Sequence, residues 1–284
     1  MNPPKSPHLP CPFATLLLLS ATLADSQEAT PAQSPAAPAT PAPASGSQDA
    51  TAAPTPYGGA VQGYQLTWSD EFNGGSLDTD KWVCRTDSKM WSTQLPENIS
   101  VSNGCLNIAL KKEKSKGKSY TGGGVISKQA FKYGYYEASF KVPPGSGWHT
   151  SFWFAPSNGK GNTAKGVLEI DFCEQDSVGL KAYSAGVISW DQRGKGYGRQ
   201  YVHTPNLHDG FHVWGCEFTP EAVKFFFDGR LTHQTDATKF HPGMGSIWLT
   251  CIASQLGSTW GVDGKKLPAV AQFDYVRFYT KQDL

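Results

Sequence analysis

The chain has 284 residues and a formal net charge of +1, and aromatic side chains make up 12% of it. That near-neutral balance leaves no electrostatic footprint for a nucleic-acid partner. All nine tryptophans lie beyond residue 57, so the first fifth of the chain cannot belong to an aromatic-rich core. In chain order, the N-terminus reads as an export signal over residues 1–24. Lys5 supplies a positive charge, Phe13 to Leu23 forms a short leucine-rich apolar core, and small residues lead to a cut after Ala24. The apolar run is too short for a membrane span, so the expected location is secreted, periplasmic or cell-surface. In residues 25–56, 17 of 32 positions are Ala or Pro and none is a large aliphatic or an aromatic. Such a segment cannot bury enough surface to offset the entropy of ordering, and is expected to be an extended linker.

From 57 to 284 the composition changes to that of one large β domain. Tyr135 to Val142, Phe211 to Phe218, Val223 to Asp228, Ile247 to Ile252 and Gln272 to Tyr279 are rich in β-branched and aromatic residues, and Gly, Pro, Asn or Asp punctuate them. Thr219 to Ala222 reads as a tight link and Asp228-Gly229 as a turn. No helical periodicity of useful length is present, so the expected fold class is all-β, a sandwich of two sheets. The lysine-rich run from Lys111 to Lys118 reads as a solvated hairpin. Cys84, Cys105, Cys173, Cys216 and Cys251 fit no zinc spacing, and most read as buried thiols acting as small hydrophobes. No G-x-S-x-G elbow and no H-E-x-x-H helix exists.

The stretch Gly166-Val-Leu-Glu-Ile-Asp-Phe-Cys-Glu174 carries the chemistry. Side chains alternate across a strand, so Glu169 and Asp171 share a face, while strict alternation sends Glu174 to the other. A β-bulge near Phe172-Cys173 returns Glu174 to the side of Glu169. Clustered carboxylates disfavour one another's ionisation. Glycoside hydrolysis uses that effect, since one carboxylate attacks while a second, kept protonated, donates to the leaving oxygen.

With its flanks, this motif resembles glycoside hydrolase family 16, and the likeness runs from Leu66 to Thr280. It is carried by Leu66-Thr-Trp-Ser-Asp-Glu-Phe72 with Leu77 to Trp82, by Gly124 to Lys128 with Tyr133 to Val142, by Glu169 to Glu174, and by Phe211 to Asp228 with Phe273 to Tyr279. The resemblance implies a jelly-roll sandwich of two antiparallel sheets with a concave substrate cleft, and hydrolysis with retention. It assigns Glu169 as nucleophile, Glu174 as general acid/base and Asp171 as the assisting residue. The six-residue motif is similar to that of laminarinase-like and galactanase-like members; lichenase-like members carry a shorter one. Trp148, His149, Trp153 and Trp190 are the expected substrate-binding residues, with Trp91 and Trp260 as weaker rim candidates; Trp68, Trp82, Trp214 and Trp248 are expected in the core.

His149 stands where the laminarinase pattern has proline, Ser189 where it has histidine, and Cys251 where it has asparagine. The expectation is therefore a secreted, monomeric, retaining endo-glycosidase, first an endo-β-1,3-glucanase. The alternatives are a galactan hydrolase of agarase, porphyranase or carrageenase type, a transglycosylase, and a non-catalytic carbohydrate-binding sandwich. Arg193, Lys195 and Arg199 are the basic residues that a sulfated galactan would use. The chemistry requires no cofactor and no metal ligand is assigned; the resemblance adds the option of a structural calcium at the Gly104 carbonyl and Asp274.

Overall fold

The computed structural model describes residues 53–177, 179–254 and 261–282. The expected signal segment, most of the expected linker and Trp260 lie outside them. Among the described residues the strands are β1 (Gln65–Asp70), β2 (Trp82–Cys84), β3 (Ser88–Lys89), β4 (Ser92–Gln94), β5 (Ile99–Ser102), β6 (Cys105–Leu110), β7 (Tyr120–Ser127), β8 (Gly134–Lys141) and β9 (Trp148–Ala155). They continue with β10 (Leu168–Asp176), β11 (Ala182–Ser189), β12 (Lys195–His203), β13 (His212–Phe218), β14 (Ala222–Phe227), β15 (Arg230–Asp236), β16 (Ser246–Ala253) and β17 (Ala269–Thr280). Only short 3-10 turns accompany them.

The strands form two sheets, as the aromatic and β-branched runs predict. One runs β15-β14-β13-β8-β17-β6-β5 with β1 added beside β17; the other runs β12-β11-β10-β9-β16-β7-β4-β3 with β2 beside β7. Pairing is antiparallel except for β4 against β7. Inward side chains of both sheets make the core. Tyr136, Ala138 and Phe140 of β8 meet Phe152 and Phe154 of β9 and Ile170 and Phe172 of β10 in one apolar cluster. Phe140 stacks on Trp214 with ring centroids 3.8 Å apart. Each such ring contributes roughly 2–3 kcal/mol by leaving water. Cys105, Cys173, Cys216 and Cys251 are buried free thiols and Cys84 is a half-buried one, the role expected for most of them.

The outer faces differ. On the eight-stranded sheet, the segment before β1 lies over the strands: the Tyr57 amide donates to Glu137 and the Tyr64 hydroxyl donates to Glu217. On the nine-stranded sheet the outer face holds the three acids of β10.

Candidate active site

Strand β10 sorts its residues by a local irregularity. Leu168, Ile170, Phe172 and Cys173 all enter the core. Two consecutive inward residues require one extra residue in the strand. The register shows it: Asp171 lies opposite Trp153 of β9 and Gly186 of β11, while Glu174 lies opposite Ser151 and Ser184. Three steps along β10 match two along each neighbour. Glu169, Asp171 and Glu174 therefore share the outer face, as their spacing predicts.

Each acid has a distinct set of partners. Glu169 Oε2 accepts from the Trp190 indole at 3.2 Å. Asp171 Oδ2 accepts from the Arg199 guanidinium at 2.5 Å. Glu174 Oε2 accepts from the same guanidinium and from the Ser184 hydroxyl at 3.3 Å. Glu174 Oε1 faces His149 Nε2 at 3.4 Å, and His149 Nδ1 lies 2.8 Å from Asp176 Oδ1. Cross-strand register brings His149 and Asp176 opposite one another.

Charge follows from these contacts. Burial alone would pull the His149 pKa down, but hydrogen bonds to Asp176 and Glu174 overcome it and push it up to about 9, so the imidazole is protonated at neutral pH. Burial opposes ionisation of Glu174, yet His149 and Arg199 outweigh it and hold the carboxyl at about 2. Asp171 is raised well above the usual carboxylate range by burial and then by the charges of Glu174 and Glu169, with Arg199 opposing. We take Asp171 as the neutral acid of the three, because a fully buried carboxyl flanked by two others is the costliest to ionise. Burial also raises Glu169; the Trp190 donor works against that rise, and Lys89 and Arg199 assist it.

The expected substrate-binding residues separate. Trp190 is 52% exposed beside Glu169, and it lines a cavity of about 410 Å³ with Lys89, Thr163, Lys165 and Glu169. His149 is buried against Glu174, as a partner of the acid and not as an open contact surface. Trp153 is on the acid face but nearly buried; its ring lies on Trp248, centroids 4.6 Å apart, and the Arg85 guanidinium sits over both. Trp148 corrects the expectation. It is 0% exposed in the inter-sheet core, and its indole donates to the Pro143 carbonyl, so it has no face for a ligand. Trp248 is buried as expected, though on the acid face beneath Trp153. Trp91 is half-buried and lines a second cavity, of about 420 Å³, with Met90, Tyr120 and Val262.

Of the three basic residues after Trp190, only Arg199 meets the acids. Asp176, Ser184, Lys89 and Arg85 also belong to the site's surroundings; only register across strands and hairpins brings them there. Asp274 is exposed at a bulge in β17, near enough for its charge to act on Cys105, the residue after Gly104. One carboxylate and a turn carbonyl make a sparse set for calcium, and no group of three or more His, Cys, Asp or Glu among the described residues forms a metal cluster.

Residues 65–281 match the family description "Beta-porphyranase A-D, GH16 domain". The chain belongs to glycoside hydrolase family 16. It is 28% identical over 250 residues to a beta-glucanase of Rhodothermus marinus, spanning 76% of this chain and 85% of that one. It is 39% identical over 106 residues to beta-porphyranase D of Zobellia galactanivorans, spanning 32% of this chain and 24% of that longer protein. Its fold superposes on the LamA catalytic domain of Z. galactanivorans with a TM-score of 0.67 at 26% identity, covering 76% of this chain and 97% of that one. Family 16 membership makes the chain a retaining glycoside hydrolase of jelly-roll fold, and its substrate a polysaccharide. No helix among the described residues is long and apolar enough to cross a membrane.

Proposed function

We propose that Glu169 is the nucleophile, Glu174 the general acid/base and Asp171 the assisting acid of an endo-acting β-glycosidase. The observation that carries this reading is the bulge, which brings three carboxylates to one open sheet face. A retaining pair works with its carboxyls about 5–5.5 Å apart; Glu169 and Glu174 flank Asp171 on this face, close enough for the charge of Glu174 to act on Glu169. The Glu169 carboxylate attacks the anomeric carbon as Glu174 protonates the departing glycosidic oxygen. Glu174, now ionised, takes a proton from the water that cleaves the glycosyl ester and restores both groups. A neutral Asp171 between them keeps the face from carrying three negative charges. Trp190 offers its exposed ring to the apolar face of a sugar next to Glu169.

The substrate we infer first is a β-1,3-glucan, supported by the glucanase relatives and the laminarinase-like motif. A second reading, a sulfated galactan, is supported by the porphyranase family description and by a guanidinium within the site. One experiment separates them: incubation with laminarin, lichenan, agarose, porphyran and carrageenan, with products resolved by size. The first reading expects laminarin to fall to short oligosaccharides; cleavage of a galactan with laminarin untouched overturns it. We further propose that the enzyme is exported and acts as a monomer. N-terminal sequencing of the mature protein, expected to begin at Asp25, and light scattering test these two points.

A further inference from the structure

The acid/base role of Glu174, on which this inference rests, demands a free oxygen and a proton. The resting enzyme supplies neither. Glu174 Oε1 faces the protonated His149, and Oε2 holds Arg199 and the Ser184 hydroxyl. The second amino group of Arg199 holds Asp171, so a single guanidinium bridges two of the three acids.

The backbone is built for this bridge. Arg199 lies where β12 slips against β11, between the Ala185 and Val187 pairings. Gly198 there has φ +60°, a left-handed conformation that glycine adopts without strain and that turns the next side chain toward the acid face. Opposite it, a Cβ on Gly186 would come within 2.7 Å of the Arg199 backbone, so only glycine leaves room for the arginine to cross. Among the described residues β12 is the edge strand of its sheet, paired only with β11, and the Arg199 side chain is one-third exposed. The guanidinium can therefore leave toward water without opening the core.

We propose that Arg199 is a positioning residue that latches the acid/base: it covers the Glu174 oxygen that must reach the glycosidic bond, and productive substrate binding displaces it. The resting charge order fits, because Glu174 is held at about 2 while Glu169 is raised, the reverse of what attack by Glu169 and donation by Glu174 require. With Arg199 withdrawn, the groups facing Glu174 are His149 on β9 and Asp176, Asp171 and Glu169 on its own strand, with Lys89 acting from β3 on Glu169. Loss of the guanidinium leaves His149 as the cation facing Glu174 against the carboxyls of Asp176, Asp171 and Glu169, so the Glu174 pKa rises, and a proton taken up from solvent is later given to the leaving oxygen.

The test compares wild type with Arg199→Gln and Arg199→Lys, after circular dichroism and thermal melting have confirmed folding. The ¹³C carboxyl signal of Glu174, assigned by its loss in Glu174→Gln, is titrated in free enzyme. The latch predicts a midpoint about one pH unit or more higher in Arg199→Gln, a tenfold gain in protonated form at fixed pH. Lysine, a single ammonium that cannot fork across two carboxyl groups, gives a smaller rise. Kinetics on the polysaccharide hydrolysed in the panel follow the same order, with the basic limb of kcat/KM moved up. On the 4-nitrophenyl glycoside of its oligosaccharide, whose leaving group needs no proton, the upward move of the basic limb is absent. Coincident titrations and limbs in wild type and Arg199→Gln overturn the latch, as does an equal loss on both substrates. Full polysaccharide activity in Glu174→Gln instead overturns the acid/base assignment itself.

Discussion

The two sheets each carry buried carboxylates on their outer faces, and they treat them in opposite ways. Glu137, on β8, is 0% exposed and is sealed by the chain before β1: the Tyr57 amide donates to it at 2.7 Å and the Tyr275 hydroxyl at 3.2 Å, with Arg277 4.0 Å away. Its hydrogen-bond donors are neutral, and burial raises its pKa. Glu174, on β10, is matched by two cations and left at the edge of an open cleft. The first carboxylate is covered and satisfied by the structure around it; the second stays reachable, and its charge is set by the two cations beside it.

The sharpest way to break this contrast is to remove one acid from each face. Glu169→Gln is expected to lower kcat by roughly 10⁴-fold or more, because a covalent intermediate cannot form, with a melting temperature close to wild type. Glu137→Ala is expected to do the reverse. It strands the Tyr57 amide and the Tyr275 hydroxyl, costing about 3 kcal/mol in a urea denaturation, while Arg277 keeps its paired hydrogen bonds to Glu71 and kcat per folded molecule is unchanged. A drop in kcat without loss of stability in Glu137→Ala would join the two faces functionally and erase the distinction.

The pH dependence of stability sharpens it next. His149 is raised from 6.5 to about 9 in the folded state, so its contribution is complete below pH 6.5 and is lost as pH rises through about 9. Glu174 is lowered from 4.5 to about 2, so its contribution is present above pH 4.5 and is lost as pH falls through about 2. The His149–Glu174 pair thus stabilises the fold across a window bounded on both sides. Glu137, raised, works in one direction only: its contribution is complete below pH 4.5 and declines as pH rises. His149→Gln is expected to flatten the decline between pH 6.5 and 9, a change on the order of 3 kcal/mol at most, measured as the urea midpoint against pH. A wild-type curve that stays flat across that range would remove the protonated imidazole from the site.

Much of this was legible in the residues. The all-β class follows from the alternating aromatic runs, and the bulge from a spacing that strict alternation cannot reconcile with one acid face. The burial of Trp148 follows from the same rule. Trp148 and Trp153 are five residues apart on a strand that pairs without interruption along β16, so they cannot share a face. One of them had to enter the core, and only Trp153 has the parity of Asp171 across the ladder. The Arg199 bridge was not legible. Arg193, Lys195 and Arg199 are equivalent as composition, and the choice among them depends on the Gly198 bulge and on the partner register, which are non-local. The His149–Asp176 pair is hidden in the same way, since it exists only once β9 and β10 are aligned.

The smallest expected effect concerns the ring that stands open on the working face. Trp190 is half exposed beside Glu169, whereas the aromatic beside Glu137, Tyr275, is nearly buried. A ring in the open can stack on a sugar and also tune the acid it touches. Trp190→Ala removes both and is expected to raise KM about tenfold, close to 1.4 kcal/mol, with no change in melting temperature. Trp190→Phe divides the two roles. It keeps an apolar face for the sugar, so KM stays near wild type, but it deletes the indole N–H that favours the ionised form of Glu169. As the proposed nucleophile, Glu169 has to be ionised, so the acidic limb of kcat/KM is expected to move to higher pH in Trp190→Phe. If the limb stays in place while KM rises, the ring serves the sugar alone, and Lys89 and Arg199 are what favours the ionised Glu169.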